Sequence, residues 1–289
     1  MITKSKILFK FLKNRRTVTS LAIISTYVIF SIIAFFIDTS QLFSTEFFKP
    51  PSPKHILGTD GLGRDVLLIL IDYTPCTIAS AFAATLIALT IGLIIGLISG
   101  YYSGKWFARL LDRITDIILS LPIIIVIGVI FIEEAPNITG FILITGLFSW
   151  PITAKAVRGQ VLVVREKTYV EASKAIGTSD KYIMFKVILP DVAPVAAASL
   201  IYTAALTVLL QAGLTFLGFK WTIGETEAHT PYTFTWGGFL GFQGIFAATA
   251  IGAWWVIVPP AICLSLLILS IGMLGIAASE TLSPEQNRF

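Results

Sequence analysis

Charge is what this chain has least of. Only 13% of its 289 residues are Asp, Glu, Lys or Arg, where a typical soluble domain carries about 25%. Mean hydropathy is +0.85, so the composition excludes an ordinary water-soluble domain and points to lipid as the solvent. Cysteine is nearly absent too. Cys76 and Cys263 sit in or beside apolar runs, with no C-x-x-C and no histidine near them, which leaves no disulfide framework or metal site and reads as two small core residues. No G-x-x-x-x-G-K-[ST] occurs, so the chain cannot hydrolyse ATP by the P-loop route on its own. No Ser/His/Asp or Cys/His arrangement supplies a catalytic group, His229 reads as a loop residue, and nothing suggests nucleic-acid binding. There is no internal repeat or low-complexity tract.

What the chain has instead is long apolar runs rich in Ile, Leu, Val and Ala. A bilayer core of about 30 Å needs roughly 20 apolar residues in helix. Six segments qualify, at 21–37, 77–99, 114–132, 138–157, 192–217 and 253–278. Helices are the only spanning element that fits, because lipid offers backbone groups no partner and barrel strands are about half this length. The expected fold class is therefore an all-α membrane protein with six transmembrane helices. The basic start, MITKSKILFKFLKNRRTV, resembles a signal-peptide n-region, but the apolar run after it ends without a small-residue cleavage site and reads as a retained first span.

Lys and Arg set the expected orientation. Six lie in residues 1–20, three in 101–113 and seven in 155–186, and Arg288 joins them near the end; the other side keeps only Lys49, Lys54, Arg64 and Lys220. Cationic loops stay in the cytoplasm. Both termini, 1–20 and 279–289, and the loop at 158–190 are thus expected on the cytoplasmic side of a cell membrane that the chain crosses several times. Two extracytoplasmic segments, 38–76 and 218–252, are too aromatic to be plain linkers and are expected to fold over the outer mouth, partly as interfacial helices. Residues 77–278 form the five-helix core.

One polar stretch interrupts the pattern. Residues 169–190 read YVEASKAIGTSDKYIMFKVILP. As a helix, its start aligns Tyr169, Ala172, Ser173 and Ile176 on one stripe, with Glu171 and Lys174 at i, i+3 on a neighbouring face. Gly177 stands where a helix ends on a left-handed residue, and Thr178 or Ser179 can cap a second helix running from Asp180 to Pro190. The spacing predicts two short helices forming a compact cytoplasmic knob.

The run Glu171-Ala172-Ser173, three residues, Gly177, nine residues and then Val187-Ile188-Leu189-Pro190 resembles the EAA loop of ABC-importer permeases. HILGTDGLGRDV at 55–66, YYSGKWFARLLDRITDIILSLP at 101–122, WPITAKAVRGQVLVVREKTYVEA at 150–172 and TFLGF at 215–219 resemble the dipeptide/oligopeptide/nickel branch of that family, in its GTDxxGRD-containing permease type. The resemblance implies an ABC importer permease fold whose coupling helix docks on a cytoplasmic ATPase, with Tyr169, Glu171, Ala172, Ser173, Lys174, Ala175, Ile176, Gly177 and Asp180 as the coupling residues. It also implies a second homologous permease, two ABC ATPase subunits that bind ATP and Mg, and an extracytoplasmic substrate-binding protein. No cofactor is expected in this chain itself. Peptides are the implied cargo; oligosaccharides or nickel are the alternatives within the same class, and a stand-alone channel or secondary transporter is the competing one. The chain departs from the branch in its ending, LGIAASETLSP, in a longer outer loop after Phe219, and at Gln211, where many members carry glutamate.

The remaining candidates have quieter readings. Gly58, Thr59, Asp60, Gly63, Arg64 and Asp65 form an outer structural motif in which glycines make turns and Arg64 pairs with an aspartate; an EF-hand would need more oxygen ligands. Asp112 and Asp116 read as interfacial ion pairs with Arg109 or Arg113. Gln211, with Thr207 and Trp236, either lines the translocation path or hydrogen-bonds a neighbouring helix. Pro122, Pro151, Pro194, Pro259 and Pro260 kink spans or mark their ends, and Trp254 and Trp255 resemble an interfacial aromatic belt.

Overall fold

The computed structural model describes residues 11–36, 45–133, 138–219 and 235–282. Among them the helices are α1 (Arg15–Ala34), α2 (Val66–Asp72), α3 (Thr74–Tyr101), α4 (Trp106–Ser120), α5 (Ile123–Glu133), α6 (Ile138–Val164), α7 (Thr168–Ala175), α8 (Asp180–Tyr182), α9 (Leu189–Phe216), α10 (Trp236–Phe239), α11 (Phe242–Ala250) and α12 (Trp254–Leu282). A π-helical turn, Ile183–Ile188, joins α8 to α9. The described residues contain no β-strand, only an isolated bridge between Thr59 and Asp65.

Five runs are long and apolar enough to cross a bilayer: Arg15–Ala34, Val66–Tyr101, Ile138–Val164, Asp180–Phe216 and Trp254–Ala278. The third predicted span, 114–132, is not one helix. It is split between α4 and α5, which meet at 84°. Pro122 is the cause: its ring disfavours helical geometry at the residue before it, and Leu121 is extended at φ −79°, ψ 136°. A second correction falls at Pro190, where the knob's second helix was expected to stop. The helix runs on through the proline into α9, one continuous run from Asp180 to Phe216. The turn before it widens, with the Leu189 N–H donating to the Met184 carbonyl, which relieves the collision between a proline ring and the carbonyl four residues back.

The bundle is organised by small residues. Gly92, Gly96 and Gly100 line one edge of α3 against Thr153, Ala154, Val157 and Val161 of α6, and Gly146 of α6 sits on Ala84 and Ile87. The two helices run parallel, close enough that a Cβ on Gly96 would meet the Ala154 carbonyl at 2.7 Å and the Val157 Cβ at 2.8 Å. In lipid, where no hydrophobic effect drives helices together, such close van der Waals packing holds them. Gly96→Ala is expected to destabilise the chain by about 1–3 kcal/mol through overpacking, read as a lower melting temperature in detergent. Gly159, with open space around it, should accept Ala without loss.

α9 runs antiparallel to α3, and α12 returns beside α9, with Gly275 against Ile201. α1 lies along α12: Tyr27 donates to the Cys263 carbonyl at 2.9 Å, and Arg16 pairs with Glu280 at 2.5 Å. The start of α1, the ends of α3, α6 and α12, and α7 therefore share one end of the bundle. Two cores result. One, around Leu97, Val157, Val161, Val170, Ile183 and Ile188, lies at the α7 end. The other gathers Tyr27, Ile69, Tyr73, Trp236, Phe239 and Val256 at the opposite end. The 38–76 segment, where described, runs irregularly from 45 to 65 before α2. Residues 37–44 and 220–234, including His229, lie outside the described residues.

Candidate coupling site

The 168–188 hairpin stands on a single apolar foot. Val170 is fully buried against the core at that end of the bundle, while Glu171, Ala172, Lys174, Ala175 and Gly177 are exposed and Ile176 is 82% exposed. Tyr169 is 42% exposed and Ser173 half-buried. Gly177 closes α7 at φ +79°. Its N–H bonds the Lys174 carbonyl at 3.0 Å, and the Thr178 N–H bonds the Ser173 carbonyl at 3.2 Å, the paired bonds of a Schellman cap. Ser179 then caps α8, accepting from the Tyr182 N–H.

Two carboxylates tie the hairpin to the bundle. Asp191 of α9 accepts from the Tyr169 hydroxyl and, at 3.0 Å, from the Lys167 ammonium. Burial and that hydrogen bond push the Tyr169 phenol up to about 12, so it stays a donor across physiological pH. Asp180 accepts from Tyr101 at 2.7 Å and Tyr102 at 3.0 Å, where α3 turns toward α4. Of the predicted coupling residues, all exposed but the half-buried Ser173, Tyr169 and Asp180 are hydrogen-bonded to the bundle, and Glu171, Ala172, Ala175 and Ile176 are left to face out. Glu171 and Lys174 form no ion pair; Lys174 lies over the Tyr101 ring, 5.3 Å from its centre. Tyr101, Tyr102 and Asp191 were missed in the sequence. The YYSG turn and the acid after Pro190 carried a signal only once their neighbours were known.

The same correction applies to Asp112 and Asp116. Their partners are not Arg109 and Arg113 on their own helix but Arg158, at 2.7 Å, and Lys155 on α6.

At the opposite end of the bundle, residues 58–65 fold into a buried clamp. Gly58 and Gly63 take φ +72° and +76°. The Asp60 carboxylate accepts from the Leu62 and Arg64 N–H groups, and its other oxygen receives two guanidinium nitrogens of Arg64, at 2.8 and 2.7 Å. Arg64 also donates to the Tyr73 hydroxyl at 3.0 Å. Asp65 caps α2 through the Leu67 and Leu68 N–H groups and meets His55 Nδ1 at 2.8 Å. Thr59 is buried, its carbonyl accepting from Trp255 Nε1 at 3.1 Å. Trp255 is therefore part of the clamp, and only Trp254 of the pair is exposed.

Gln211, Thr207 and Trp236 are brought together, all of them buried. Gln211 donates to Ser80 at 2.7 Å, Thr85 donates to Thr207 at 3.3 Å, and the Trp236 N–H donates to Thr77 at 3.2 Å. All three tie onto α3. Gln211→Met is expected to cost about 0.6 kcal/mol, the average for such a bond between membrane helices, and to leave uptake unchanged. Altered uptake at unchanged stability would instead put Gln211 on the path.

Residues 92–284 match the family described as binding-protein-dependent transport system inner membrane component. The chain belongs to that family. This permease is 28% identical over 291 residues to an oligopeptide transport system permease protein, OppC, of Mycobacterium tuberculosis, covering 95% of the chain and 92% of the relative. It is 29% identical over 229 residues to an OppC of Lactococcus lactis, covering 75% and 78%. A putative peptide transport system permease protein of Brucella suis is 27% identical over 237 residues, covering 82% and 76%. Among solved structures, the permease fold is similar to a chain of the MetNI methionine ABC transporter in an inward-facing conformation, with TM-score 0.58 and 19% identity over 75% of this chain and 98% of that one.

Proposed function

We propose that this permease is the membrane-spanning subunit of an ATP-driven importer of peptides, with α7 as the helix that docks on a cytoplasmic ATPase. The observation that carries the reading is the hairpin itself: a short helix with an exposed apolar tip, closed by a left-handed glycine and fastened to two different spanning helices. Such an element can take two positions and be biased from either side, which is what coupling requires. The relatives named as oligopeptide permeases support peptides as cargo.

In this reading the basic segments at 1–20, 101–113 and 155–186 face the cytoplasm, as does the tail after α12. A second, related permease pairs with this one, two ATPases carrying ATP and Mg sit beneath α7, and a binding protein delivers cargo to the clamp side. The chain itself takes no cofactor and does no covalent chemistry.

Gentle affinity purification from the native membrane, with each co-purifying subunit identified by mass spectrometry, tests the assembly. Recovery of a second permease and P-loop ATPases is the expected result. A co-purified binding protein titrated with alanine tripeptide and pentapeptide, maltotriose and nickel then tests the cargo. Uptake that persists without ATP would overturn the proposal in favour of a stand-alone transporter.

A further inference from the structure

The hairpin is covalently continuous with α9 through α8 and the π-helical turn, and with α6 through residues 165–167, but it reaches α3 through side chains. Beside the apolar core that joins Val170 and Ile183 to Leu97 and Tyr101, the polar contacts converge on a few groups. The Asp180 carboxylate, three residues past Gly177, spans the hydroxyls of Tyr101 and Tyr102, one on each oxygen. Tyr101 is buried, its ring 4.9 Å from that of Tyr102. Lys174 of α7 lies over Tyr101, and Lys105 lies 4.5 Å over Tyr102. From the α6–α7 link, Arg165 donates to the Gly100 and Tyr101 carbonyls, at 3.3 and 3.4 Å. The last turn of α3 is thus held by groups on either side of α7.

We propose that Asp180 is a positioning residue for transport: by holding Tyr101 and Tyr102 it makes α3 follow α7. Backbone continuity already obliges α9 to follow at one end of the hairpin and α6 at the other. α3 shares the hydrogen bonds Ser80–Gln211 and Thr85–Thr207 with α9 inside the membrane and lies on α6 along the glycine edge. If the end of α3 did not answer to α7, α6 and α9 would slide against it and strain those contacts. With Asp180 in place the three helices move as one body. Asp180 therefore acts inward on the spanning helices, while Ile176 and its exposed neighbours act outward on the ATPase. The inference rests on α7 being the docking helix.

The test uses the importer purified through this chain and reconstituted in liposomes with its binding protein. It measures labelled alanine tripeptide taken up per ATP hydrolysed, with the melting temperature and subunit stoichiometry of each variant. Asp180→Ala, and separately Tyr101→Phe with Tyr102→Phe, are expected to lower that ratio by at least about fivefold, the low end of an energetic coupling between sites, while ATP hydrolysis continues. Asp180→Asn, whose one carbonyl can hold only one tyrosine well, is expected to fall between. A ratio that stays at the wild-type value overturns the proposal. So does a loss in which uptake, hydrolysis and melting temperature fall together, since that is structural support alone. Ile176→Glu, at the exposed tip, separates the two layers. If it uncouples the importer and Asp180→Ala does not, only the role of Asp180 fails; if Ile176→Glu leaves docking and uptake intact, the docking reading fails and takes this inference with it.

Discussion

Gly177→Val should leave the permease inserted and assembled but reduce ATP-driven uptake to background. No atom lies within 4 Å of a Cβ built on Gly177, so the substitution meets no steric wall. Its cost is in the backbone. At φ +79° an L-residue pays about 1–2 kcal/mol, and a β-branched one has fewer rotamers left to absorb it. The chain escapes that cost by flipping the turn. Flipping breaks the Schellman bonds to Lys174 and Ser173 and re-aims α7 relative to α8, and with it the exposed Ile176. The spanning helices, held by their own contacts, are untouched. Gly252 supplies the control: it has φ +72° and equally open surroundings at the opposite end of the bundle. Gly252→Val should lower stability by a similar amount and keep uptake per ATP at the wild-type value. Vesicles carrying Gly177→Val that transport normally would remove the coupling function from α7.

Arg64→Met is expected to destabilise the chain strongly, by about 3–5 kcal/mol. Both partners of the Arg64–Asp60 pair are almost wholly buried. Removing the guanidinium leaves a carboxylate with two backbone N–H partners and no countercharge, and strips Tyr73 of a donor. That is a large part of the about 5–15 kcal/mol that holds a typical domain together. The double variant Asp60→Asn, Arg64→Met removes both charges and keeps an acceptor for the Leu62 and Arg64 N–H groups, so it should recover part of the loss. The readout is the melting temperature in detergent, with the yield of inserted protein as a second measure. A single variant as stable as the wild type would mean the clamp contributes nothing to the fold.

Hydropathy carried the reading of the membrane-spanning helices because in lipid each backbone group must find its partner within its own helix. Run length and composition are then nearly sufficient, and the five long runs begin or end within a few residues of the predicted spans. The one failure, at 114–132, came from a local signal that was visible: Pro122 sat mid-run and was read as a kink or a boundary. Nothing in one chain segment says that the bend reaches 84°, since that depends on what α4 and α5 pack against. Gly177 was legible for a related reason. A helix followed by glycine and two capping hydroxyls specifies its own ending, and the structure realises it within five residues.

Partner choice was not legible. Asp112 and Asp116 had cations on their own helix at the right spacing, yet they pair with Arg158 and Lys155, because α4 lies against α6 and Arg109 and Arg113 point away. Asp180 looked like one more polar residue on a docking surface until α3 ended beside it, 79 residues away in the chain. The sequence alone determined that this is a helical membrane protein, roughly where its five long apolar helices lie and where its exposed hairpin turns, since those depend on solvent and local backbone geometry. Only the tertiary structure decided which helices touch, and hence which carboxylates fasten the hairpin and which glycines admit a neighbour. Those contacts join residues far apart in the chain, and their free energy exists only once the bundle has formed.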